Sequence, residues 1–319
     1  MVQNIGKAQS DELPALLEVS RAAISYLLDG LHVSPTPMHR DFELESRVRE
    51  LAQSWPFGER IRPHIVTALT ITETAYHHVS DMNAKVAITV FTALLTCMDD
   101  PGKHNSDAVD SIDHYRRLCN GSAMHDPGML GELNRCLKGM WDLYPPLGAN
   151  AIFIATLKFM NGTMLENSDE SAFSNSSGSR AFVEYQRNLT GISEAYAFFI
   201  WDKKSFPDSR VYERAIPDAA LAVNYVNDLL SFYKEEAAGE MVNYIHNRAI
   251  VMHRSAAQTL CEVADEIIAA SARVRSNLLS EDAIDAWDSF EKGYIMFHIG
   301  DPRYRLQEIL GMEYMIDAY

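Results

Sequence analysis

The stretch Asn227-Asp228-Leu229-Leu230-Ser231-Phe232-Tyr233-Lys234-Glu235 closes a long apolar-periodic segment that begins near Ser209. At roughly 100° per helical residue, Ser231 lies about 40° round from Asn227, Lys234 about −20° and Glu235 about 80°. All four side chains therefore share one helix face. Asn supplies a carbonyl oxygen, Ser a hydroxyl and Glu a carboxylate, a hard oxygen set that suits Mg²⁺. Lys234 beside them suits a phosphate. Followed upstream, the same face runs through Val223, Ala220, Ala219 and Ile216, whereas a face turned to water stays polar. A face that passes from small and apolar to oxygen-rich is expected of a helix lining a greasy cavity with a polar mouth.

A second segment repeats the pattern. Ala84 to Met98 runs into Asp99-Asp100 and then Pro101-Gly102, and the face leading to Asp99 carries Leu95, Thr92, Phe91 and Ile88. Carboxylates at a helix C-terminus oppose the helix dipole, so two of them there call for a compensating cation. Elsewhere apolar residues recur at three- and four-residue spacing, and alternating strand patterns bounded by hairpin turns are missing. The expected fold is all-α, with helices at about 10–30, 43–55, 60–80, 83–98, 107–119, 128–143, 149–167, 180–201, 209–237, 253–279, 283–299 and 303–316. Turn chemistry separates them at Ser34-Pro35-Thr36-Pro37, Asp100-Pro101-Gly102, Tyr144-Pro145-Pro146, Phe206-Pro207-Asp208 and Asp301-Pro302. The polar run Asn167 to Ser179 reads as a surface loop, with a flap over the site as the alternative. No repeat or linker divides the chain, so residues 1–319 are expected to form one domain.

The chain has 319 residues, 28 Lys+Arg against 44 Asp+Glu, and a formal charge of −16. That length lets it bury roughly 75% of its unfolded surface without disulfides or structural metal. The charge opposes nucleic acid and anionic membranes, so any anionic ligand must meet local cations. Cys97, Cys119, Cys136 and Cys261 make no Cys-x-x-Cys pair, which argues against a zinc site and a secreted disulfide framework. The start MVQNIGKAQSDE lacks the apolar core of a signal peptide, and the apolar stretch Val86 to Met98, 13 residues, is too short to span a bilayer. These features predict a soluble cytoplasmic protein. The Asn-x-Ser/Thr matches at Asn120, Asn161, Asn175 and Asn188 are read as chance.

NDLLSFYKE resembles the second metal motif of class I terpene cyclases, in the form found in fungal trichodiene synthase and its relatives. The resemblance runs from about Asp99 to Gln307. It implies a single helical bundle around a central apolar cavity, with Asp99, Asn227, Ser231 and Glu235 as metal ligands and three Mg²⁺ ions binding a substrate diphosphate. Arg187-Asn188-Leu189-Thr190-Gly191 looks like the family's Arg-x-x-x-Gly segment. Arg187 would then sense the diphosphate, and Gly191 would mark a helix break. Lys234 and the pair Arg303-Tyr304 match the remaining diphosphate donors. The run Asp99-Asp100-Pro101-Gly102-Lys103 departs from the family by lacking a further acid at its fourth or fifth place.

The implied activity is ionisation of farnesyl diphosphate followed by cyclisation to a sesquiterpene hydrocarbon or alcohol, in a homodimer. Arg187, Lys234 and Arg303 are charge-assisted donors in an acidic protein, and the Tyr304 phenol can donate to a leaving diphosphate. Phe91, Phe159, Tyr196, Tyr294 and Phe297 are candidate π faces for a carbocation, with core packing as the alternative for each. His77, His78 and Asp81 read as a polar helix surface, and His298 as a hydrogen-bonded core histidine. A prenyl diphosphate synthase would need a second Asp-rich motif where this chain has Asn227, Ser231 and Glu235. A non-catalytic helical protein with a degenerate diphosphate site stays open because of Lys103.

Overall fold

Apolar spacing of three and four residues winds the chain into helices in a computed structural model that describes residues 5–34, 40–99, 116–122, 127–168, 179–240 and 242–311. In order these are α1 (Ile5–Gly30), α2 (Phe42–Gln53), α3 (Gly58–Ala75), α4 (Met82–Met98), α5 (Met129–Leu143), α6 (Pro146–Ser168), α7 (Arg180–Thr190) and α8 (Ser193–Phe198). They continue as α9 (Ile216–Ala238), α10 (Tyr244–Met252), α11 (Ala256–Asn277), α12 (Glu281–Gly300) and α13 (Gln307–Leu310). Among the described residues no strand occurs. The fold is all-α, as the periodicity predicts.

Side-chain caps set many of the helix starts. Asp41 accepts from Leu44 N, Asp81 from Asn83 N, Ser179 from Phe182 N and Ser280 from Ala283 N, at the heads of α2, α4, α7 and α12. Ser255 and Gln258 form a reciprocal capping box on α11. Each oxygen satisfies an N–H that the first helical turn leaves unpaired. The predicted helices over 180–201 and 253–279 prove shorter or broken: the first stops at Thr190 and resumes at Ser193, and the second starts at Ala256. Residues 209–215 form two 3₁₀ turns, so the helix expected from Ser209 begins at Ile216, with Pro217 in its first turn. Tyr244–Met252 is a helix absent from the sequence expectation. Asp100, Lys103, most of 107–119 and residues 169–178 of the proposed flap lie outside the described residues.

α3 packs between α4 and α12, α9 packs on α8 and α11, and α6 meets α7 and α8. One continuous apolar core joins them. Trp201 stacks on Tyr212 with centroids 4.9 Å apart, and its indole N–H donates to the Ala283 carbonyl at 3.2 Å, tying the loop after α8 to α12. His77 is exposed, as the surface reading expects, but it and half-buried His78 lie in the turn beyond the helix rather than on it. α3 has ended at Ala75, His78 Nε2 meets the Ile200 carbonyl at 3.0 Å, and Ser289 Oγ meets His77 Nε2 at 3.1 Å.

The α3–α12 crossing is a backbone contact. A Cβ on Gly293 would overlap the Thr74 carbonyl oxygen and stand 2.8 Å from Ala75 Cα. Gly293→Ala should therefore lower stability by about 3 kcal/mol, the upper end for overpacking, because backbone cannot swing aside. Urea unfolding measures it, and an unchanged midpoint would refute the rigid crossing. A second outcome concerns His298 on α12, which is fully buried with Nδ1 2.8 Å from the Tyr294 carbonyl. Burial pushes its imidazole down from 6.5 to about 3. The unfolded chain takes up that proton first, so this contribution is complete above pH 6.5 and is lost as pH falls toward 3, at about 1.4 kcal/mol per pH unit. Unfolding free energies between pH 7 and 4 should fall less steeply in His298→Gln; equal slopes would contradict the assignment.

Candidate active site

The inner faces of α3, α4, α6, α7, α8, α9, α10 and α12 line an open-mouthed cavity of about 940 Å³, at the top of the roughly 300–1,000 Å³ usual for small-molecule sites. Its shaft is built from Ile71, Leu95, Phe159, Val223, Tyr294 and Phe297. Its mouth carries Asp99, Glu166, Arg187, Asn227, Asp228, Glu235, Arg303 and Tyr304. The single helix α9 therefore contributes apolar wall at Val223 and oxygen donors at Asn227 and Glu235. Asp99, the C-cap of α4, lines the same cavity.

Arg187 is mostly buried and held at the mouth. Its Nε donates to the Asp228 carboxylate at 2.8–2.9 Å, and its Nη2 donates to the Asn224 carbonyl at 3.2 Å and to Asn227 Oδ1 at 3.3 Å. Burial works against the charged guanidinium, but the Asp228 carboxylate outweighs it and holds Arg187 above its ordinary value. Burial likewise pushes Asp228 up to about 6, against the pull of Arg187. One turn earlier on the same side of α7, Glu184 accepts from the Tyr225 and Tyr244 hydroxyls, each at 2.9 Å. Glu166 is raised by burial and then by the charge of Asp99, which adds an acid to this mouth.

The helix break falls where the Arg-x-x-x-Gly segment predicts. α7 ends at Thr190, Gly191 caps it, and Ile192 takes a left-handed conformation with φ 50° before α8 begins. A β-branched residue there is strained, at a cost of about 1–3 kcal/mol that the surrounding packing must offset. Gly191 itself has ordinary φ; its need for glycine is steric. A Cβ would overlap Asn224 Oδ1 and stand 2.7 Å from Arg187 Nη1. Tyr76 supports the break from beneath by donating to the Tyr196 carbonyl at 2.8 Å.

Lys234 and Arg303 gather round one aromatic ring. Lys234 Nζ lies 5.7 Å and the Arg303 guanidinium 5.9 Å from the centroid of buried Tyr304, within cation–π range. Lys234 Nζ also stands 3.5 Å from the Glu235 carboxylate. Tyr294 stacks on Phe297 and donates to the Val223 carbonyl at 3.3 Å. Phe91 corrects the sequence reading: it is fully buried, edge-on to Tyr196 and Phe199, and does not form the cavity wall. It backs Tyr196, which does. Ser231 is buried on α9 one turn from both Asn227 and Glu235, and neither it nor Lys234 is among the residues that line the cavity.

Sequence reading passed over Asp228, Asn224, Glu166 and the contact of His298 with Asn227. Asp228 lay inside the decisive motif, but at about 100° from Asn227 it falls off the ligand face. Its role becomes visible only once Arg187 is brought to it.

The family model described as trichodiene synthase (TRI5) matches residues 50–318. The chain is 43% identical to Monoterpene synthase 25 of Postia placenta over 92% of its own length and 88% of that protein. It is 30% identical to terpene synthase BipA of Cochliobolus sativus over 97% and 96% of the two chains. Its fold resembles the linalool/nerolidol synthase of Streptomyces clavuligerus in complex with 2-fluorogeranyl diphosphate, with TM-score 0.63 and 15% identity over 84% of this chain and 97% of that one. The bundle is thus the class I terpene synthase fold, and the chain belongs to the trichodiene synthase family of terpene synthases.

Proposed function

We propose that this terpene synthase ionises farnesyl diphosphate and cyclises the resulting cation to a sesquiterpene hydrocarbon or alcohol, releasing diphosphate. The observation that supports this reading is the cavity itself, whose lining combines apolar side chains with Asp99, Asn227 and Glu235. That donor set of carboxylates and an amide oxygen fits a hard divalent cation. Asp99, Asn227, Ser231 and Glu235 would hold Mg²⁺, three ions with the substrate bound. When bound, Mg²⁺ supplies neutralisation of the charge that grows on the leaving group.

The chain's own groups do the remaining work. Arg187, Lys234 and Arg303 bind and orient the diphosphate through charge-assisted donors, and the Tyr304 phenol adds another. The carbon–oxygen bond breaks with its electron pair leaving on the diphosphate oxygen. The allylic cation then lies in the shaft, where Tyr294, Phe297, Phe159 and Tyr196 present π faces and exclude water. A chain π bond supplies the electrons for ring closure, and loss of a proton or capture of water ends the reaction.

A second reading, cyclisation of the ten-carbon geranyl diphosphate, is favoured by the 43% identity to a protein named as a monoterpene synthase. The homodimer belongs to the same proposal. Trp141 on α5 and Leu147 and Ile154 on α6 are exposed apolar groups on helices that pack together.

Incubation of the purified protein and Mg²⁺ with farnesyl or geranyl diphosphate, followed by gas chromatography and mass spectrometry, is expected to give fifteen-carbon volatiles from the first. Ten-carbon volatiles from geranyl diphosphate alone would install the second reading, and unchanged substrate in both would defeat the two together. Asn227→Ala and Glu235→Ala should each lower turnover roughly a hundredfold. Gly191→Ala, which thrusts a methyl group at Asn224 Oδ1 and Arg187 Nη1, should lower turnover with helical content intact. Normal turnover in all three variants would contradict the assigned roles.

A further inference from the structure

His298 sits fully buried on α12, behind the mouth of the cavity, and takes no part in the chemistry proposed above. Its Nδ1 lies 2.8 Å from the Tyr294 carbonyl oxygen. A carbonyl only accepts, so Nδ1 carries the hydrogen and Nε2 presents a lone pair. Asn227 Nδ2 stands 3.2 Å from that Nε2 and is the group of the pair able to donate. The imidazole cannot turn to another arrangement cheaply. It is wedged edge-on to Tyr294 at 4.7 Å and to Phe297 at 5.0 Å, and lies against the Tyr304 ring at 4.5 Å.

An asparagine amide has two nearly isosteric ends, and the terminal torsion that exchanges them is soft. At position 227 only one end is useful: Oδ1 binds a cation, whereas the NH₂ group opposes it. Anchoring Nδ2 on His298 leaves Oδ1 on the other branch, where Arg187 Nη2 already reaches it at 3.3 Å. Resting on the reading of Asn227 as a Mg²⁺ ligand, we propose that His298 is a positioning residue that fixes the amide of Asn227 with its oxygen toward the metal site. The same lone pair explains an amide at 227 in place of a carboxylate, because an Asp there would face Nε2 with an anion and no hydrogen to share.

The test is Mn²⁺ binding to the full chain in the presence of inorganic diphosphate, read by electron paramagnetic resonance. His298→Leu, which fills space and removes the acceptor, should weaken Mn²⁺ binding by about tenfold or more, the usual effect of removing a group that orients a metal ligand. His298→Gln, whose side-chain oxygen can accept from Asn227 Nδ2, should recover most of the loss. A purely packing role for the histidine would leave no such rescue. Circular dichroism and urea unfolding check that each variant is folded; should His298→Leu fail, His298→Asn, polar but too short to reach Asn227, carries the same expectation. Wild-type binding in the Leu or Asn variant, or equal weakness in the Gln variant, overturns the positioning role. Asn227→Ala separates the two levels: if it binds Mn²⁺ normally, the ligand assignment falls and takes this proposal with it. If it alone fails while the His298 variants bind normally, the ligand assignment stands and only the positioning role is lost.

Discussion

The buried ion pair between Arg187 and Asp228 joins α7 to α9 across the mouth of the cavity. Both partners are largely withdrawn from water, so either one alone would be an uncompensated charge costing several kcal/mol. Each is therefore useful only where the other is present. The pair also brings Arg187 to Asn227 and to the Asn224 carbonyl, so the cation of one helix and the oxygen ligands of the other are set by one contact. In a chain of net charge −16, the pairing keeps the Arg187 guanidinium ionised and oriented at the mouth, with its charge matched by Asp228.

Much of the supporting architecture exists to keep that contact in place. Glu184, one turn before Arg187 on the same side of α7, receives two tyrosine hydroxyls from α9 and α10 and so adds to the attachment of that face. Buried Arg248 pairs with Glu266 at 2.5 Å and receives support from the Tyr244 hydroxyl, so α10 is held to α11 in turn. The break after Gly191 turns the chain sharply enough that α8 delivers Tyr196 into the shaft while α7 keeps Arg187 at the rim. The strain at Ile192 is local, and the hydrogen bond from Tyr76 to the Tyr196 carbonyl helps to hold it.

The all-α class and the two-part cavity were legible because both are written in helical spacing, and α9 displays them on one face. The helix break at Gly191 was legible through the family's Arg-x-x-x-Gly segment. What escaped depends on approach between distant segments. Phe91 shares the helix face of Thr92 and Leu95 by spacing, yet Tyr196 and Phe199 cover it, and no periodicity within α4 can reveal a covering ring. The 3₁₀ turns before Ile216 were absorbed into a helix because their apolar spacing continues into it. His298 was correctly placed in the core, but its partner lies 71 positions earlier in the chain.

The contact of Gly293 with the backbone of Thr74 and Ala75 has a consequence for the shape of the chamber. With no side chain between the two helices, there is no bulk there to trim, and the spacing of α3 and α12 is as small as it can be. The girth of the chamber on that side behaves like a rigid mould. The outline of the chamber is then set by what surfaces it, at residues such as Ile71, Phe159 or Val223, rather than by the distance between these walls.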